Sequence, residues 1–493
     1  MGASGQFVNS RNQFTFETDL DKSIYRVIDS IIDSNPNAFF YRGRDLRHAV
    51  AKTAYYHIVN NKRVLKLYLY GPVVKSREDI SVKKMLYKRV ILDLCGLTED
   101  SVNISVNISA RIKNFAFFTL KKITGLLPKK FVTAEGTCRK NTSLVMLTIA
   151  NIKFYKYLKP VIERFDVDIA FYQKISPLKI EEPYSELYIS LKNYRIIFSL
   201  NNFGKEMSEF SGMILLCEEI YQILSRKSPG VVLLSEGNSP EDELVSQMAK
   251  ELNIPTICIQ HGWNPVIHCG FQNLNFSSFV TWGDEFQGLL QGYSPDQSFS
   301  TCGHHRLEPG GRNRKDAVGF FLQSPERFIS RFHWDQMIRL ILEISSLHPM
   351  TTIIVREHPN YKIDSEDKKK LQSGPNIRIT NQNMSNLDED LDKCMIAVSI
   401  FSSVLLESLA KGVIPVIFNS TDMPRYIPDL GDLHCGYEAK TIDEAKGILT
   451  ELIINTNKQE IYQNAMKENR SRYFSALGNN ALKNISSHIH SFL

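Results

Sequence analysis

Two kinds of apolar pattern alternate along the middle of the chain. Short apolar runs typical of buried strands occupy residues 143–149, 168–172, 230–235 and 255–260. Apolar residues recur at helical spacing in two of the intervening segments, 154–165 and 241–252. Strand–helix–strand units of this length predict an α/β fold whose parallel sheet has right-handed crossovers.

The same alternation begins again at residue 317. Strands are predicted at 317–322, 352–357, 395–399 and 413–418, and helices at 327–347 and 404–411. The loop at 309–315 is rich in glycine and charge, as expected of a linker between domains. We therefore predict two Rossmann-like domains that face a cleft, one at 136–310 and the other at 311–493.

Residues 1–135 lack this alternation, and we predict that they form an added, α-rich amino-terminal region. Helices are expected at 23–34, 45–60 and 79–97, and a strand at 63–69. A basic amphipathic stretch at 108–130 interleaves aromatic and aliphatic residues with lysine and arginine. Such a stretch can lie on an anionic membrane surface. We favour the other interpretation, in which it packs its apolar face on the neighbouring domain and leaves its lysines in water, because its apolar residues also suit ordinary docking.

Length and composition narrow the class of protein. A chain of 493 residues is too long for one hydrophobic core. The net charge of +6 is too small over this length to indicate a nucleic-acid partner. No apolar run approaches the roughly 18–20 residues that span a bilayer, and no apolar signal region follows Met1. The eight cysteines are isolated, which argues against a zinc or disulfide framework and fits the reducing cytoplasm.

Polar residues follow two predicted strands of the second domain, where ligands bind in open parallel sheets. His358 and Pro359 end one strand, Ser402 and Ser403 end the next, and Glu407 lies one helical turn later. A serine pair that opens a helix offers hydroxyls, free backbone N–H groups and the positive end of the helix dipole to an anion. The second domain is therefore predicted to bind a phosphorylated ligand, with a nucleotide as the first choice.

Each of these residues also has a structural role open to it. His358 can cap a turn, the two serines can cap the helix, and Glu407 can be a solvated helix residue. Arg356 lies two residues before His358, so strand alternation puts both side chains on one face. Arg356 can pair with a phosphate there, or it can form a salt bridge within the protein.

The first domain is expected to supply the base that takes the proton from an attacking hydroxyl. Glu236 and His261 each follow a predicted strand, so both are expected at the edge of the cleft. A carboxylate or an imidazole can act as general base when it reaches the acceptor. The two residues are rival candidates, and His261 with Gly262 can also serve only to shape a turn.

The order of these motifs resembles a family of enzymes. The matching segments are Gln260-His261-Gly262, Val280-Thr281-Trp282-Gly283, Cys302-Gly303, Arg356-Glu357-His358-Pro359, Ser402-Ser403 with Glu407, and Gly412-Val413-Ile414-Pro415. Over residues 141–480 they look like the bacterial GT-B glycosyltransferases of surface polysaccharide synthesis. The likeness is greatest to the enzymes with HP and SS motifs, which use CMP-activated sialic acid or Kdo-like sugars.

The resemblance implies an inverting, metal-independent transfer from a CMP-sugar to an oligosaccharide or lipid-linked glycan acceptor. His358 would donate a hydrogen bond or proton to the leaving phosphate, and Ser402 and Ser403 would hold its other oxygens. Glu407 would bind the ribose hydroxyls. Fixed donors aimed at a phosphate on which charge develops lower the barrier. No DxD-like metal motif is present and no cofactor is expected.

The same resemblance implies a cellular location, and the chain departs from the family pattern at one motif. The enzyme is expected in the cytoplasm, at the inner face of a bacterial cytoplasmic membrane, where residues 108–130 can make a peripheral contact. Related sialyltransferases carry two acids and a glycine where this chain has Ser235-Glu236-Gly237, so only part of that motif is present.

Three alternatives stay open. A CDP-glycerol-type polyol phosphotransferase is one, although those enzymes resemble Asp-Tyr-Ser-Ser where this chain has Ile400-Phe401-Ser402-Ser403. A UDP-sugar transferase or epimerase is the second, although the acid-rich loop expected of the epimerase is replaced here by Trp263-Asn264-Pro265. The third is a non-catalytic subunit that binds a nucleotide or a glycan.

Overall fold

The structure is a computed structural model, and its described residues are organised around two parallel β-sheets. The description covers residues 28, 29, 32, 40–41, 43–59, 145–149, 152–173, 186–190, 210–263, 269–310, 316–323, 329, 331–359, 361–400, 402–420, 430–431 and 433–493. The predictions for 63–69, 79–97 and 108–130 lie outside these residues, as does most of the predicted linker.

The described part of the amino-terminal region packs on the first domain. It contains an antiparallel pair of short strands, β1 (Phe40–Tyr41) and β2 (Arg44–Asp45), followed by helix α1 (Arg47–Val59). Lys52 Nζ in α1 lies 2.9 Å from Glu243 Oε2, and both side chains are fully buried. Arg44 forms salt bridges with Glu218 and Glu251. Five charged groups thus hold β2 and α1 against the first domain.

The first sheet has seven parallel strands. They are β3 (Val145–Ile149), β4 (Val167–Gln173), β5 (Glu186–Ser190), β6 (Val231–Ser235), β7 (Thr256–Ile259), β8 (Ser278–Thr281) and β9 (Phe299–Thr301). Their spatial order is β5-β4-β3-β6-β7-β8-β9. The central strands β6 to β8 are buried at every position, as expected of a parallel sheet covered on both faces.

The helices of the first domain connect these strands. They are α2 (Ile152–Ile162), α3 (Phe210–Lys227), α4 (Pro240–Glu251) and α5 (Asp284–Gln291), with a short 3₁₀ turn at Cys269–Phe271. The start of α4 follows from its sequence, since Ser239 Oγ accepts the Asp242 N–H and Pro240 occupies the first turn.

The second sheet has six parallel strands. They are β10 (Ala317–Phe321), β11 (Ile353–Arg356), β12 (Ile377–Thr380), β13 (Cys394–Ser399), β14 (Ile414–Phe418) and β15 (Tyr437–Ala439). Their spatial order is β12-β11-β10-β13-β14-β15. This is the doubly wound order of a Rossmann fold, and the first sheet repeats it with one further strand, β9. The predicted fold class, a GT-B arrangement of two Rossmann-like domains, is confirmed by these two strand orders.

The helices that follow β10 continue to the carboxyl terminus. They are α6 (Arg331–Leu347), α7 (Ser365–Gln372), α8 (Leu387–Lys393), α9 (Val404–Ala410), α10 (Ile442–Ile454), α11 (Thr456–Tyr473) and α12 (Gly478–His490). Helix α10 begins with a capping box between Thr441 and Glu444, and side chains of Asp364 and Asn386 cap α7 and α8.

The last helix returns to the first domain. Ile485 and Ile489 of α12 are fully buried in a core cluster that also contains Leu158 of α2 and Val231 of β6. The residues that lead into α12 pair with the loop after β9, where the N–H of His304 donates to Ala476 O at 2.9 Å. Residues 478–490 were predicted within the second domain, 311–493, but their side chains complete the core of the first.

Among the described residues, no helix is both long enough and apolar enough to cross a bilayer.

Candidate functional site

The strand order of each sheet reverses at one point, and the candidate residues flank both points. The first sheet reverses between β3 and β6, and the second between β10 and β13. Ligands of doubly wound folds bind outside the carboxyl ends of strands at such switch points. Glu236 directly follows β6, and Ser402 and Ser403 follow β13 after a short loop. Candidates from both domains therefore stand where topology favours a ligand.

The two rival base candidates of the first domain form a pair. His261 Nδ1 lies 3.6 Å from Glu236 Oε1, and the side chains are 22% and 24% exposed. A carboxylate near Nδ1 of an imidazole is the arrangement in which a histidine can act as a base through its other nitrogen. The structure therefore brings the two residues that the sequence offered as alternatives next to each other.

The backbone that carries Glu236 is held in an uncommon conformation. Glu236 has φ of 73° and Gly237 has φ of 74°, both in the left-handed region. A Cβ on Gly237 would lie 2.8 Å from Cys258 Sγ and from a ring carbon of Phe276, so only glycine fits there. A left-handed non-glycine residue persists only where its surroundings over-determine it, and such residues cluster at functional sites.

Two aromatic rings of helix α2 hold the His261 imidazole. The Phe154 and Tyr157 rings approach it edge-on, with centroids 4.8 Å and 4.9 Å away. The Tyr157 hydroxyl donates to Gln260 O at 3.1 Å and accepts the Trp282 indole N–H at 3.2 Å. Sequence reasoning missed both rings, because aromatic residues on a predicted amphipathic helix are indistinguishable from ordinary core residues.

A pair of buried histidines lies behind Tyr157. Burial, together with neighbouring His305, lowers the pKa of His304 to about 3, and burial lowers the pKa of His305 to about 4. Both imidazoles are therefore neutral at pH 7. His305 Nε2 is 2.7 Å from Tyr157 O, so this histidine supports the backbone of the helix that packs on His261.

The serine pair of the second domain lies at the start of α9. Ser402 Oγ accepts the Val404 N–H at 3.4 Å, and Ser403 Oγ donates to Glu407 Oε1 at 3.2 Å. The predicted group of two serines and one acid is therefore contiguous in space. Ser403 begins the helix without a side-chain capping bond, because its hydroxyl is directed to Glu407 instead.

Glu407 has an altered acidity. Burial raises the pKa of its carboxyl to about 7, the Ser403 hydroxyl opposes this increase, and repulsion from Asp388 adds to it. The group is thus divided between its charged and neutral forms near neutral pH. In both forms it retains an oxygen that can accept a hydrogen bond from a hydroxyl.

Glu407 also connects the two domains electrostatically. The pKa of the Tyr157 phenol is raised mainly by burial, and the negative charge of Glu407 contributes to the increase. Tyr157 contacts His261, so the acid of the second domain lies within electrostatic reach of the ring that holds the candidate base.

His358 and Pro359 lie one strand away from the switch point of the second sheet. His358 is partly buried and follows β11, which is separated from β13 by β10 alone. Two strand spacings correspond to roughly 10 Å, a distance that a nucleotide can bridge. The two residues line a cavity of about 180 Å³.

Arg356 is engaged inside the second domain. Its guanidinium lies 2.5 Å from Asp390 Oδ2, and it also donates to the hydroxyl and the carbonyl oxygen of Ser385. Both members of the ion pair are buried. Of the two roles that the sequence left open for Arg356, these contacts describe the structural salt bridge, and we omit it from the proposed phosphate site.

Metal ligands were not expected, and metal independence remains a prediction. Among the described residues, no group of three or more histidine, cysteine, aspartate or glutamate side chains is arranged to hold a metal ion.

Comparison with known proteins adds structural neighbours only. No family model and no curated protein sequence matches the chain. The fold is similar to UDP-GlcNAc 2-epimerase from Neisseria meningitidis bound to UDP-GlcNAc, with 14% identity, a TM-score of 0.49, and coverage of 71% of this chain and 100% of that one. It is also similar to the lipopolysaccharide outer core galactosyltransferase WaaB, with 13% identity, a TM-score of 0.43, and coverage of 71% and 99%. Because both scores are below 0.5, the fold assignment rests on the strand orders above.

Proposed function

We propose that this protein is an inverting, metal-independent glycosyltransferase that moves a sialic acid- or Kdo-like sugar from a CMP-sugar to a surface-glycan acceptor. The observation that carries the proposal is the Glu236–His261 pair at one switch point, opposite Ser402, Ser403 and Glu407 at the other. A base on one side of a cleft and phosphate-binding groups on the other are what sugar transfer from a nucleotide requires.

The first domain activates the acceptor. A hydroxyl of the acceptor glycan lies against the His261 imidazole, which takes the proton as the hydroxyl attacks the anomeric carbon. Glu236 orients the ring and stabilises its cationic form, because a carboxylate near Nδ1 favours the imidazolium. Edge contacts with Phe154 and Tyr157 restrict the ring to one plane.

The second domain binds the donor and its leaving group. The bond between the anomeric carbon and a phosphate oxygen breaks, and negative charge develops on that phosphate. His358 donates a hydrogen bond or proton to it, and the hydroxyls of Ser402 and Ser403 bind its remaining oxygens. Glu407 accepts hydrogen bonds from the ribose hydroxyls, and Pro359 stiffens the turn that presents His358.

The choice of CMP over other nucleotides is supported by the HP and SS motifs of the sequence. A CMP-sugar leaves a single phosphate, which His358, Ser402 and Ser403 are proposed to bind. The acceptor is an oligosaccharide or a lipid-linked glycan, so the proposed transfer takes place at the inner face of a bacterial cytoplasmic membrane. Contact with that membrane through residues 108–130 is part of the proposal.

A thermal-shift screen against CMP, CDP, UDP, UMP and GDP without added metal tests the donor. A ligand at about 100 times its Kd stabilises the native state by roughly 2.7 kcal/mol, which a melting curve resolves. We expect CMP to stabilise the protein selectively. The stabilisation should disappear in Ser403→Ala and His358→Ala and persist in Ser487→Ala, an exposed serine of α12.

Each alternative function gives a different pattern. Preference for CDP indicates the polyol phosphotransferase, and preference for UDP or UMP indicates a UDP-sugar transferase or epimerase. Stabilisation by none of the five nucleotides contradicts a nucleotide-sugar enzyme and favours a non-catalytic subunit.

A further inference from the structure

The cavity beside His358 contains charged and polar groups to which the proposed reaction gives no role. It lies at the carboxyl ends of β11 and β12 and has a volume of about 180 Å³. Besides Pro359 and one carboxylate, its polar lining consists of His358, Lys362, Lys368, Asn381, Gln382 and Asn383. The last five of these residues appear in none of the motifs found in the sequence.

Among the described residues that line this cavity, lysine side chains outnumber carboxylates. Neither Lys362 nor Lys368 has an ion-pair partner among the residues that the structure describes. By contrast, Lys370 of α7, the helix that contains Lys368, pairs with Glu366 at 2.7 Å and with Asp367 at 3.4 Å. The cavity's carboxylate, Glu357, is buried and accepts the Ile363 N–H at 3.1 Å. Two ammonium groups thus face one carboxylate, and this balance favours an anionic ligand.

The loop after β12 supplies neutral hydrogen-bonding groups beside these charges. Asn381 Oδ1 accepts the Asn383 N–H at 3.0 Å, which fixes the turn that carries the three carboxamides. Carboxamides bind hydroxyl and carbonyl groups, whereas lysine binds anionic oxygen. The combination suits an acidic group attached to a polar, hydroxylated molecule.

A larger depression of about 400 Å³ between α6 and α7 lacks this uncompensated charge. Arg339 there pairs with Glu343 at 2.7 Å, and Glu343 also pairs with Lys446 at 3.0 Å. Of these two cavities, the smaller one therefore has the excess positive charge that favours binding of an anion.

We propose that the cavity beside His358 is an anion-binding subsite, in which Lys362 and Lys368 bind a phosphate or carboxylate group of the donor. The inference rests on the proposed function for the identity of the donor, because a CMP-activated acidic sugar carries both groups. The carboxamides of Asn381, Gln382 and Asn383 bind hydroxyl or carbonyl groups next to that anion.

Calorimetric titration of the full chain with CMP, cytidine and free N-acetylneuraminic acid tests the subsite and distinguishes the two anions. The variant is Lys362→Gln/Lys368→Gln, and both positions are exposed, so folding is expected to be retained. Lys369→Gln is the matched control, because Lys369 is an exposed lysine of α7 outside the cavity lining. A thermal melt of each variant checks that it is folded.

We expect the double variant to lose about tenfold or more in affinity for one anion, with Lys369→Gln unchanged. A loss for CMP with cytidine unchanged identifies the phosphate, and a loss for the sugar acid identifies the carboxylate. Equal affinities in wild type and double variant overturn the subsite, as does a wild type that binds neither anion.

Failure of the proposed function has a different signature. If the double variant loses anion affinity while the wild type consumes no CMP-sugar, the subsite stands and the transferase assignment falls. If the wild type transfers sugar and the double variant binds both anions normally, the assignment stands and the subsite falls.

Discussion

At the scale of single residues, the proposed activity of the first domain depends on which atom of Glu236 or His261 can accept a proton. A carboxylate 3.6 Å from Nδ1 leaves the other imidazole nitrogen as the atom that accepts a proton. Neither residue alone offers both sufficient basicity and a defined proton-accepting atom. A carboxylate is a weak base at neutral pH, and an unsupported imidazole can adopt either tautomer. In the proposed reaction, the pair rather than one residue acts as the base.

Glu236→Gln removes the negative charge but keeps the size of the side chain. We expect turnover to fall by about 10²- to 10⁴-fold, the usual contribution of a positioned base, with CMP affinity unchanged. His261→Asn should have a similar effect, and the double variant should be little worse than either single variant, because the two residues act as a unit. Steady-state release of the nucleotide measures the effect.

Glu241→Gln is the control for this pair, since Glu241 is a nearby carboxylate of α4 outside the pair. Multiplicative losses in the double variant, or near-normal turnover in Glu236→Gln, contradict the paired base.

Glu407 makes a pH-dependent contribution to stability. Its pKa is about 7 in the native protein, against an ordinary value of 4.5. Between these values the unfolded chain releases the proton and the native state keeps it, so stability is lost as the pH rises from about 4.5 to 7. The glutamine side chain of the Glu407→Gln variant cannot ionise, so the variant does not lose stability in this way as the pH rises.

The measurement is chemical denaturation of wild type and Glu407→Gln across this pH window. The variant should gain about 1–3 kcal/mol relative to wild type between the two ends, and the intermediate exposure of the residue as a whole favours the lower end of that range. Glu460→Gln, an exposed position of α11, should show no such gain. A wild-type-minus-variant difference that stays constant with pH would disprove the altered acidity.

At the scale of elements, the apolar pattern was sufficient to locate strands and helices but not their partners. The strands expected at 230–235 and 255–260 are present as β6 and β7, and the helix expected at 241–252 is α4. Buried parallel strands are continuous apolar runs, so each is visible locally. The contact between Glu236 and His261 spans two such strands, and no local pattern records it.

Charged partners at long sequence separation were equally hidden. Arg356 at the end of β11 binds Asp390 in α8, and the sequence could offer this salt bridge only as one of two roles. Lys52 and Glu243 are 191 residues apart, and neither had been singled out. An ion pair of this kind depends on how finished elements pack, and side-chain identity alone does not determine it.

The Lys52–Glu243 pair joins α1 to α4, and breaking it should be costly. Lys52→Met leaves the Glu243 carboxylate buried with only the amide donors of Gln247 and Asn275. We expect a loss of about 3–5 kcal/mol in the free energy of unfolding, because an uncompensated charge remains in the interior. Urea denaturation measures it.

Two further variants make this test specific. Lys52→Met/Glu243→Gln should recover a large part of the loss, since no buried charge is left without a partner. Lys250→Met, at an exposed position of α4, should change stability by less than about 0.5 kcal/mol. The interpretation fails if Lys52→Met is no more destabilising than Lys250→Met.

At the scale of the whole molecule, the chain crosses between domains twice. It enters the second domain near residue 316 and returns through the segment between α11 and α12, where Gly303 and Gly283 contact the backbone of Ala476 and Tyr473. Sequence could predict α/β alternation, but the return of α12 carries no signal, since an amphipathic helix fits either core. The linker near residue 310 therefore marks only one of the two places where the chain passes between domains.

The return of α12 makes the stability of the first domain depend on the last residues of the chain. Ile485→Ala should lower the free energy of unfolding by about 2–4 kcal/mol, because its side chain is fully buried between α2 and the first sheet. Ile454→Ala is the control, since that isoleucine is 70% exposed and should contribute almost nothing. Equal stabilities of the two variants in urea denaturation contradict the packing of α12.

The most direct test of the central claim is nucleotide release from intact donors, followed by NMR in the absence of metal. CMP-N-acetylneuraminic acid, CMP-Kdo and UDP-GlcNAc are each incubated with wild type, His358→Ala and Glu236→Gln, with a glycan acceptor or water receiving the sugar. The account predicts that wild type releases CMP from an acidic-sugar donor with inversion at the anomeric carbon, and that both variants are strongly impaired. Conversion of UDP-GlcNAc to an epimer, or no release of CMP from either donor, contradicts it.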